Sequence, residues 1–152
     1  MNIIDDMMTL VKKKKDKTFE KIFEFEKRIF DCTHRCTKAE LKRLYDFKEL
    51  LLINDFGYVL AAPLETVRKC ELPQEEYKYF GKKNTLYLYS IGVVPEARGR
   101  GLGKKMLNEV IENSTKPRIS LNTKNKLMKQ MCLDFGFKQL SETYFVLAKN
   151  KK

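Results

Sequence analysis

The sequence predicts one mixed α/β domain over residues 1–152, and three observations carry that expectation. Helical and strand-like periodicities alternate along the chain. One stretch, Thr85–Asn113, passes from strand to helix through a glycine-rich turn. No internal repeat or low-complexity linker interrupts the 152 residues, a length that allows a single domain a proper core.

Composition narrows the classes. With 43% hydrophobic and 34% charged residues the chain reads as a soluble globular protein. No apolar run approaches the roughly 20 residues that a membrane-spanning helix needs. The opening MNIIDDMMTLVKKKK puts its charge after its apolar residues, the reverse of a secretory signal. A cytoplasmic protein without a membrane partner is therefore expected. The net charge of +11 gathers in lysines at Lys12–Lys15 and at Lys149, Lys151 and Lys152. Such an excess suits a solvated surface, an anionic partner or nucleic acid. Arginine forks, the usual readers of bases, are sparse, so nucleic acid is the minority expectation. Cys32, Cys36, Cys70 and Cys132 do not make a disulfide scaffold. Cys32-Thr33-His34-Arg35-Cys36 resembles one half of a metal clip, but no second cluster exists and His34 is the only histidine. No metal is expected.

Taken in order, Asn2-Ile3-Ile4 suits either a short first strand or the start of a helix. Thr18–Phe30 places Phe19, Ile22, Phe23, Glu26, Ile29 and Phe30 on one mainly apolar helical face. After a polar loop, Thr37-Lys38-Ala39-Glu40 has the spacing of a capping box and opens a second helix with Leu41, Leu44 and Tyr45 on one side. Leu50–Ile53 and Tyr58–Ala62 read as an antiparallel hairpin across Asn54-Asp55-Phe56-Gly57. The long connection that follows is expected to hold a short helix between Pro73 and Gly81. Its Glu75, Glu76, Tyr77 and Tyr79 are undifferentiated candidates for shaping a site. Pro117–Leu121 predicts a strand, Asn125–Phe135 a helix ended by Gly136, and Phe137–Leu140 and Tyr144–Ala148 two closing strands.

Leu86, Leu88 and Ser90 alternate with Tyr87, Tyr89 and Ile91, which is strand spacing; Met106, Leu107, Val110 and Ile111 form a helical stripe. Between them lies Arg98-Gly99-Arg100-Gly101-Leu102-Gly103. A glycine turn leading into a helix N-terminus offers unpaired N–H groups and a positive dipole end to an anion such as pyrophosphate. The P-loop pattern fails, because Arg98 and Lys105 stand where Gly and Ser or Thr are required. GxGxxG fails as well, with Lys104 or Met106 where its last glycine belongs. Arg-x-x-Gly-x-Gly at Arg98, Gly101 and Gly103, preceded by Val93-Val94-Pro95-Glu96, does match: it resembles motif A of the GCN5-related N-acetyltransferase (GNAT) superfamily.

That resemblance is close over Thr85–Phe137 and looser elsewhere. It implies a mixed, mostly antiparallel central sheet of six to seven strands flanked by about four helices. It implies acetyl-CoA as cosubstrate, held by Ile91, Gly92 and Val93 on the strand and by Arg98, Gly99, Arg100, Gly101, Leu102, Gly103 and Lys104 in the turn. It further implies an amine acceptor, either a small molecule or a protein amine, bordered by the early helix–loop–helix, with Phe30 and His34 as candidates for contact. A core aromatic and a surface histidine are the alternative readings of those two. A homodimer is left open. Many members carry a later pattern, N-x-x-A-x-x-L-Y-x-x-x-G-F, matched here by Asn125, Met128, Met131, Cys132, Gly136 and Phe137. By resemblance Asn125 bonds the pantetheine arm, while Cys132 replaces a tyrosine that often protonates the departing sulfur.

Acetyl transfer to an amine needs a shared cleft, a polarised carbonyl and an acceptor for a proton. By resemblance the cleft lies where Ser90–Val93 splays from Arg118–Leu121, with a bulge expected near Ile91–Gly92. The backbone N–H of Val93 would polarise the thioester carbonyl, a contact whose loss typically costs about 10²–10³ in rate. An amine of pKa about 10.4 must then lose a proton. The strand TLYLYSIGVV has no carboxylate or histidine, which leaves Tyr87, Tyr89 and Ser90 acting through water. Cys132 is read three ways: packing residue, weak acid or nucleophile. The expected function is N-acetyl transfer by direct attack in a ternary complex. A CoA-binding regulatory module without catalysis and a basic nucleic-acid-binding protein are the alternatives.

Overall fold

Residues 9–10, 16–30, 37–68, 72, 74–79 and 82–149 are described by a computed structural model. In chain order the elements are β1 (Thr9–Leu10), α1 (Asp16–Ile29), α2 (Lys38–Asp46), β2 (Leu50–Ile53), β3 (Gly57–Pro63), β4 (Thr85–Val93), α3 (Leu102–Asn113), β5 (Arg118–Asn122), α4 (Lys126–Asp134), β6 (Lys138–Gln139) and β7 (Tyr144–Ala148). The seven strands form one sheet in the order β1-β2-β3-β4-β5-β7-β6. Among the described residues only β4 and β5 pair in parallel, and the other pairs are antiparallel. The expected mixed, mostly antiparallel sheet is what forms, with four α-helices among the described residues. The Asn2-Ile3-Ile4 stretch, read as either a strand or a helix start, and the Lys12–Lys15 run lie outside the described residues. The first described strand is β1, whose Thr9 sits opposite Ile53. Between Pro73 and Gly81 the described helix is a 3₁₀ segment, Gln74–Tyr79. Among the described residues no helix is long and apolar enough to cross a membrane.

Local chemistry explains the boundaries. The Glu40 N–H donates to Thr37 Oγ1 at 3.1 Å, capping α2 as the spacing predicts. The Glu40 carboxylate does not return to Thr37 in the manner of a full capping box; it accepts from the Tyr89 hydroxyl at 3.1 Å. Asn54 Oδ1 accepts from the N–H groups of Phe56 and Gly57 at 2.8 and 3.0 Å, a side-chain turn that closes the β2–β3 hairpin.

Both faces of the sheet are covered. On one, Phe19, Ile22 and Phe25 of α1 and Leu41, Leu44 and Tyr45 of α2 pack on Leu51, Tyr58, Leu60 and Tyr87. On the other, Met106, Leu107 and Val110 of α3 and Cys132 of α4 pack on Leu52, Val59, Leu86, Leu88, Ile119 and Leu121. Each such side chain contributes roughly 1.5–3 kcal/mol when fully buried.

The β3–β4 register departs from regular alternation at one place. Leu60 sits opposite Ser90, but Ala61 sits opposite Leu88, so Tyr89 is an extra residue on β4. The bulge is therefore at Tyr89, not near Ile91–Gly92. Its effect on facing is direct, because one extra residue shifts the period-two pattern. Ser90 joins the tyrosine face over α1, and Ile91 joins the leucine face over α3. The simple alternation of Leu86, Leu88 and Ser90 against Tyr87, Tyr89 and Ile91 is broken there.

Gly57 allows β3 to approach β4 closely, and Gly92 allows the end of α1 to approach β4. A Cβ on Gly57 would drive into the main-chain oxygen of Gly92, and one on Gly92 would lie 2.5 Å from Ile29 Cγ2. Backbone cannot yield as a flexible side-chain tip can. Gly57→Ala should lower unfolding free energy by about 1–3 kcal/mol or more, read from the urea midpoint at unchanged m-value. A midpoint equal to the parent's would show that β3 tolerates the shift.

Candidate functional site

Two strands part in the middle of the sheet. β4 pairs with β5 only from Thr85–Leu88 against Arg118–Leu121. Beyond Leu88, β4 continues to Val93 on β3 alone, while β5 stays with β7 through Asn122 opposite Tyr144. The direction of the backbone groups follows from one bond. Val94 N–H donates to Phe56 C=O at 2.8 Å, so in the antiparallel ladder Val94 and Gly92 turn their N–H groups toward β3. Ile91 and Val93 therefore turn theirs toward the side that β5 has left.

A glycine turn lies at the end of this opening. Pro95–Ala97 forms a 3₁₀ turn, and Gly99 and Gly101 have φ of +86° and +76°, values that disfavour any side chain. Gly101 is the N-cap of α3, and the first helical bond runs from Lys105 N–H to Gly101 C=O at 3.2 Å. The N–H groups of Leu102, Gly103 and Lys104 precede that bond at the positive end of the helix. A Cβ at Gly99 or Gly101 would meet open space, whereas one at Gly103 would lie 3.3 Å from Met131 Cε. The first two glycines thus leave room for a ligand, and the third serves packing of α3 on α4.

The side chains of the turn divide their tasks. Arg98 donates to Val93 C=O at 3.2 Å and to Ile29 C=O at 3.3 Å, which fastens the end of β4 to the end of α1. Arg100 lies over the Phe56 ring at 5.2 Å. Leu102 is buried in the core, and Lys104 is exposed.

On the α1–α2 face, hydroxyls and carboxylates meet β4. Tyr58 Oη donates to Glu26 Oε2 and lies 2.8 Å from Ser90 Oγ; Ser90 Oγ is 3.4 Å from Glu26 Oε2. Glu26 is only 3% exposed. Tyr89, half-buried, donates to Glu40. Phe30 is half-buried beside Gly92. Of the undifferentiated group between Pro73 and Gly81, Glu76 is buried, accepting from Asn122 and from Tyr87 at 3.5 Å. Tyr79 stacks on Tyr144 with centroids 4.7 Å apart, and Tyr77 is exposed. Burial first, with the Glu76 charge adding to it, pushes the Tyr144 hydroxyl up to about 12. His34 and the Glu75 side chain lie outside the described residues.

The later signature is structural in its visible contacts. Asn125 Oδ1 caps α4 by accepting from Met128 N–H at 3.0 Å. Gly136, at φ +92°, ends the helix, and Phe137 N–H donates to Cys132 C=O at 2.9 Å. Cys132 is wholly buried in the α3–α4 core, and burial pushes its thiol up to about 12. Among the described residues no group of His, Cys, Asp and Glu could hold a metal ion.

Sequence reasoning missed Glu26 as a functional candidate, and with it Tyr58 and Glu40. The signal was present: a carboxylate between Ile22 and Ile29 on an apolar helical stripe must find polar partners when buried.

A family model described as the acetyltransferase (GNAT) family matches residues 20–137. No curated protein matches the chain by sequence. Among solved structures, a GNAT family acetyltransferase from Brucella melitensis in complex with acetyl-CoA is 16% identical, with 96% of this chain and 90% of that one covered, at a TM-score of 0.62. The GNAT family N-acetyltransferase YhbS from Escherichia coli, in complex with CoA, is 16% identical over 93% and 81%, at 0.59. NAA60 from Arabidopsis thaliana, in complex with a bisubstrate analogue, is 14% identical over 93% and 98%, at 0.64. These likenesses are likenesses of fold.

A buried thiol with a raised pKa is a poor nucleophile. Iodoacetamide at pH 8 should leave Cys132 unmodified in the folded protein and alkylate it in urea, as mapped by peptide mass spectrometry. Rapid native labelling of Cys132 would show that α4 opens.

Proposed function

We propose, since the chain belongs to the acetyltransferase (GNAT) family, that it is an acetyl-CoA-dependent N-acetyltransferase acting on a primary amine by direct attack in a ternary complex. The observation that carries this reading is the parting of β4 from β5 directly ahead of the left-handed Gly101 turn. Together they offer a line of main-chain donors from Ile91 to Lys104. The N–H groups of Leu102, Gly103 and Lys104 take the pyrophosphate. Ile91 and Val93 pair with the pantetheine arm, and Val93 N–H polarises the thioester carbonyl. Asn125 keeps its amide NH₂ for the same arm while its oxygen caps α4. The amine nitrogen bonds to the carbonyl carbon as the carbon–sulfur bond breaks. Cys132 is a packing residue in this scheme. Its burial and raised pKa support that choice over nucleophile or acid. A thiol leaving group of pKa about 8.5 departs without a strong acid. Cytoplasmic residence is part of the reading.

The direct test is release of CoA thiol from acetyl-CoA with spermidine, glucosamine, a lysine-containing peptide and a peptide with a free N-terminus. Turnover with one or more is expected; binding without turnover on any of them would favour a regulatory CoA-binding module. Gly101→Glu combines a side chain at φ +76° with a carboxylate aimed at phosphate. By calorimetry it should weaken acetyl-CoA binding by about 100-fold or more, or roughly 2.7 kcal/mol. Parent-like affinity would remove the turn from the site. Cys132→Ala should change kcat by far less than the roughly 10²–10⁴ attached to a strong general acid.

A further inference from the structure

The central strand carries no base, yet the fold brings one to it. We propose that Glu26 is the terminal proton acceptor of the reaction, reached from the acceptor amine through the hydroxyls of Ser90 and Tyr58; this rests on the acetyltransferase reading above. The direction of the hydrogen bonds argues for it. Tyr58 has a single hydroxyl hydrogen, and it is donated to Glu26 Oε2. The 2.8 Å contact between Tyr58 and Ser90 is then donated by Ser90, whose hydroxyl also reaches Glu26 Oε2 directly at 3.4 Å. Ser90 in turn is left with oxygen lone pairs that only accept. By either path, through Tyr58 or directly, the donors point from Ser90 to the carboxylate, and the open end is an acceptor. Ser90 immediately precedes Ile91, where β4 has left β5. Val93 lies about 10 Å along the strand at roughly 3.3 Å per residue, a gap for the reacting groups and bridging water. The bulge at Tyr89 is what turns Ser90 toward Glu26.

The proton balance is simple. As the amine attacks, its proton passes through the water to Ser90 Oγ. The Ser90 proton moves to Tyr58 Oη, and the Tyr58 proton moves to Glu26, which becomes the neutral acid. Reversal of the relay to solvent resets it after the thiolate has left. Glu26 acts through other groups, so it positions and drains the proton and does not touch substrate.

The experiment compares the parent with Glu26→Gln, Glu26→Asp and Ser90→Ala, using the amine that the parent acetylates fastest in the panel. For Glu26→Gln the deficit in kcat/KM should be about 10²–10⁴ at pH 7. It should shrink toward unity as pH approaches that amine's own pKa, about 10.4 for a lysine side chain and about 8 for an N-terminus, where free amine needs no base. Glu26→Asp should restore part of the neutral-pH rate. Ser90→Ala keeps the Tyr58–Glu26 bond, and so remains informative if Glu26→Gln does not fold; it should show the same pH-dependent deficit. Calorimetric affinity for acetyl-CoA should stay within a few fold of the parent in every folded variant. An active parent whose variants run parallel to it at all pH values overturns the relay and leaves the acetyltransferase reading intact. A parent that binds no acetyl-CoA overturns both.

Discussion

The structure depends on β5 leaving β4 after Leu88 while each keeps its other partner. The sheet is in effect two smaller sheets, β1–β4 and β5–β7, joined along four paired residues. A bulge bends its strand and increases the local twist, and the bulge at Tyr89 falls on the first residue beyond that joint. On the far side, Asn122 is held by Glu76 and by Thr143 Oγ1 at 2.7 Å, which ties the end of β5 to β7's side of the gap. The opening is therefore built from sheet geometry. Unpaired strand edges inside a domain cost free energy unless something completes them. An extended ligand arm with amide groups is the natural complement.

The same bulge settles a problem of polarity. Without it, Ser90 would point into the cluster of Leu86, Leu88, Met106, Leu107 and Ile119. A buried hydroxyl with no partner there would cost about 1–3 kcal/mol. With it, the hydroxyl meets Tyr58 and Glu26, and Ile91 fills the apolar side. One inserted residue thus serves packing on both faces and assembles the polar chain.

How much of this was legible in the sequence depends on how local the signal is. The helix after Gly101, the Asn54 turn and the Thr37 cap are decided within a few residues, so spacing alone located them. The turn's glycines were likewise legible, since left-handed backbone leaves a compositional mark. The register of β4 against β3 was not legible, because one added residue in an apolar strand leaves no trace in alternation. Misplacing the bulge put Ser90 on the wrong face. The bonds of Arg98 to the Val93 and Ile29 carbonyls join segments far apart in sequence, which no local spacing encodes. Cys132 matched a family position, yet its burial depends on how α4 leans on α3, which no spacing encodes. Glu40 followed a local capping rule for its backbone and a tertiary partner, Tyr89, for its side chain.

Holding α1 in place is what makes a carboxylate on that helix useful to β4. Three contacts gather at its C-terminal end. The Arg98 guanidinium accepts the role of a cation at a helix C-terminus, where carbonyls are unpaired and the dipole is negative. Arg28 pairs with Glu96 of the 3₁₀ turn. Ile29 and Phe30 press on Gly92, where a side chain would keep them away. An exposed ion pair contributes little by itself, and the packing and the carbonyl bonds determine the position. Glu26 lies about one turn before that anchor, on the same face as Ile29 and Phe30. Anchoring Ile29 at Gly92 therefore sets Glu26 over Ser90, two residues earlier on β4. The glycine turn and the helix that carries Glu26 are bound to each other through Arg98. A shift of one would move the other.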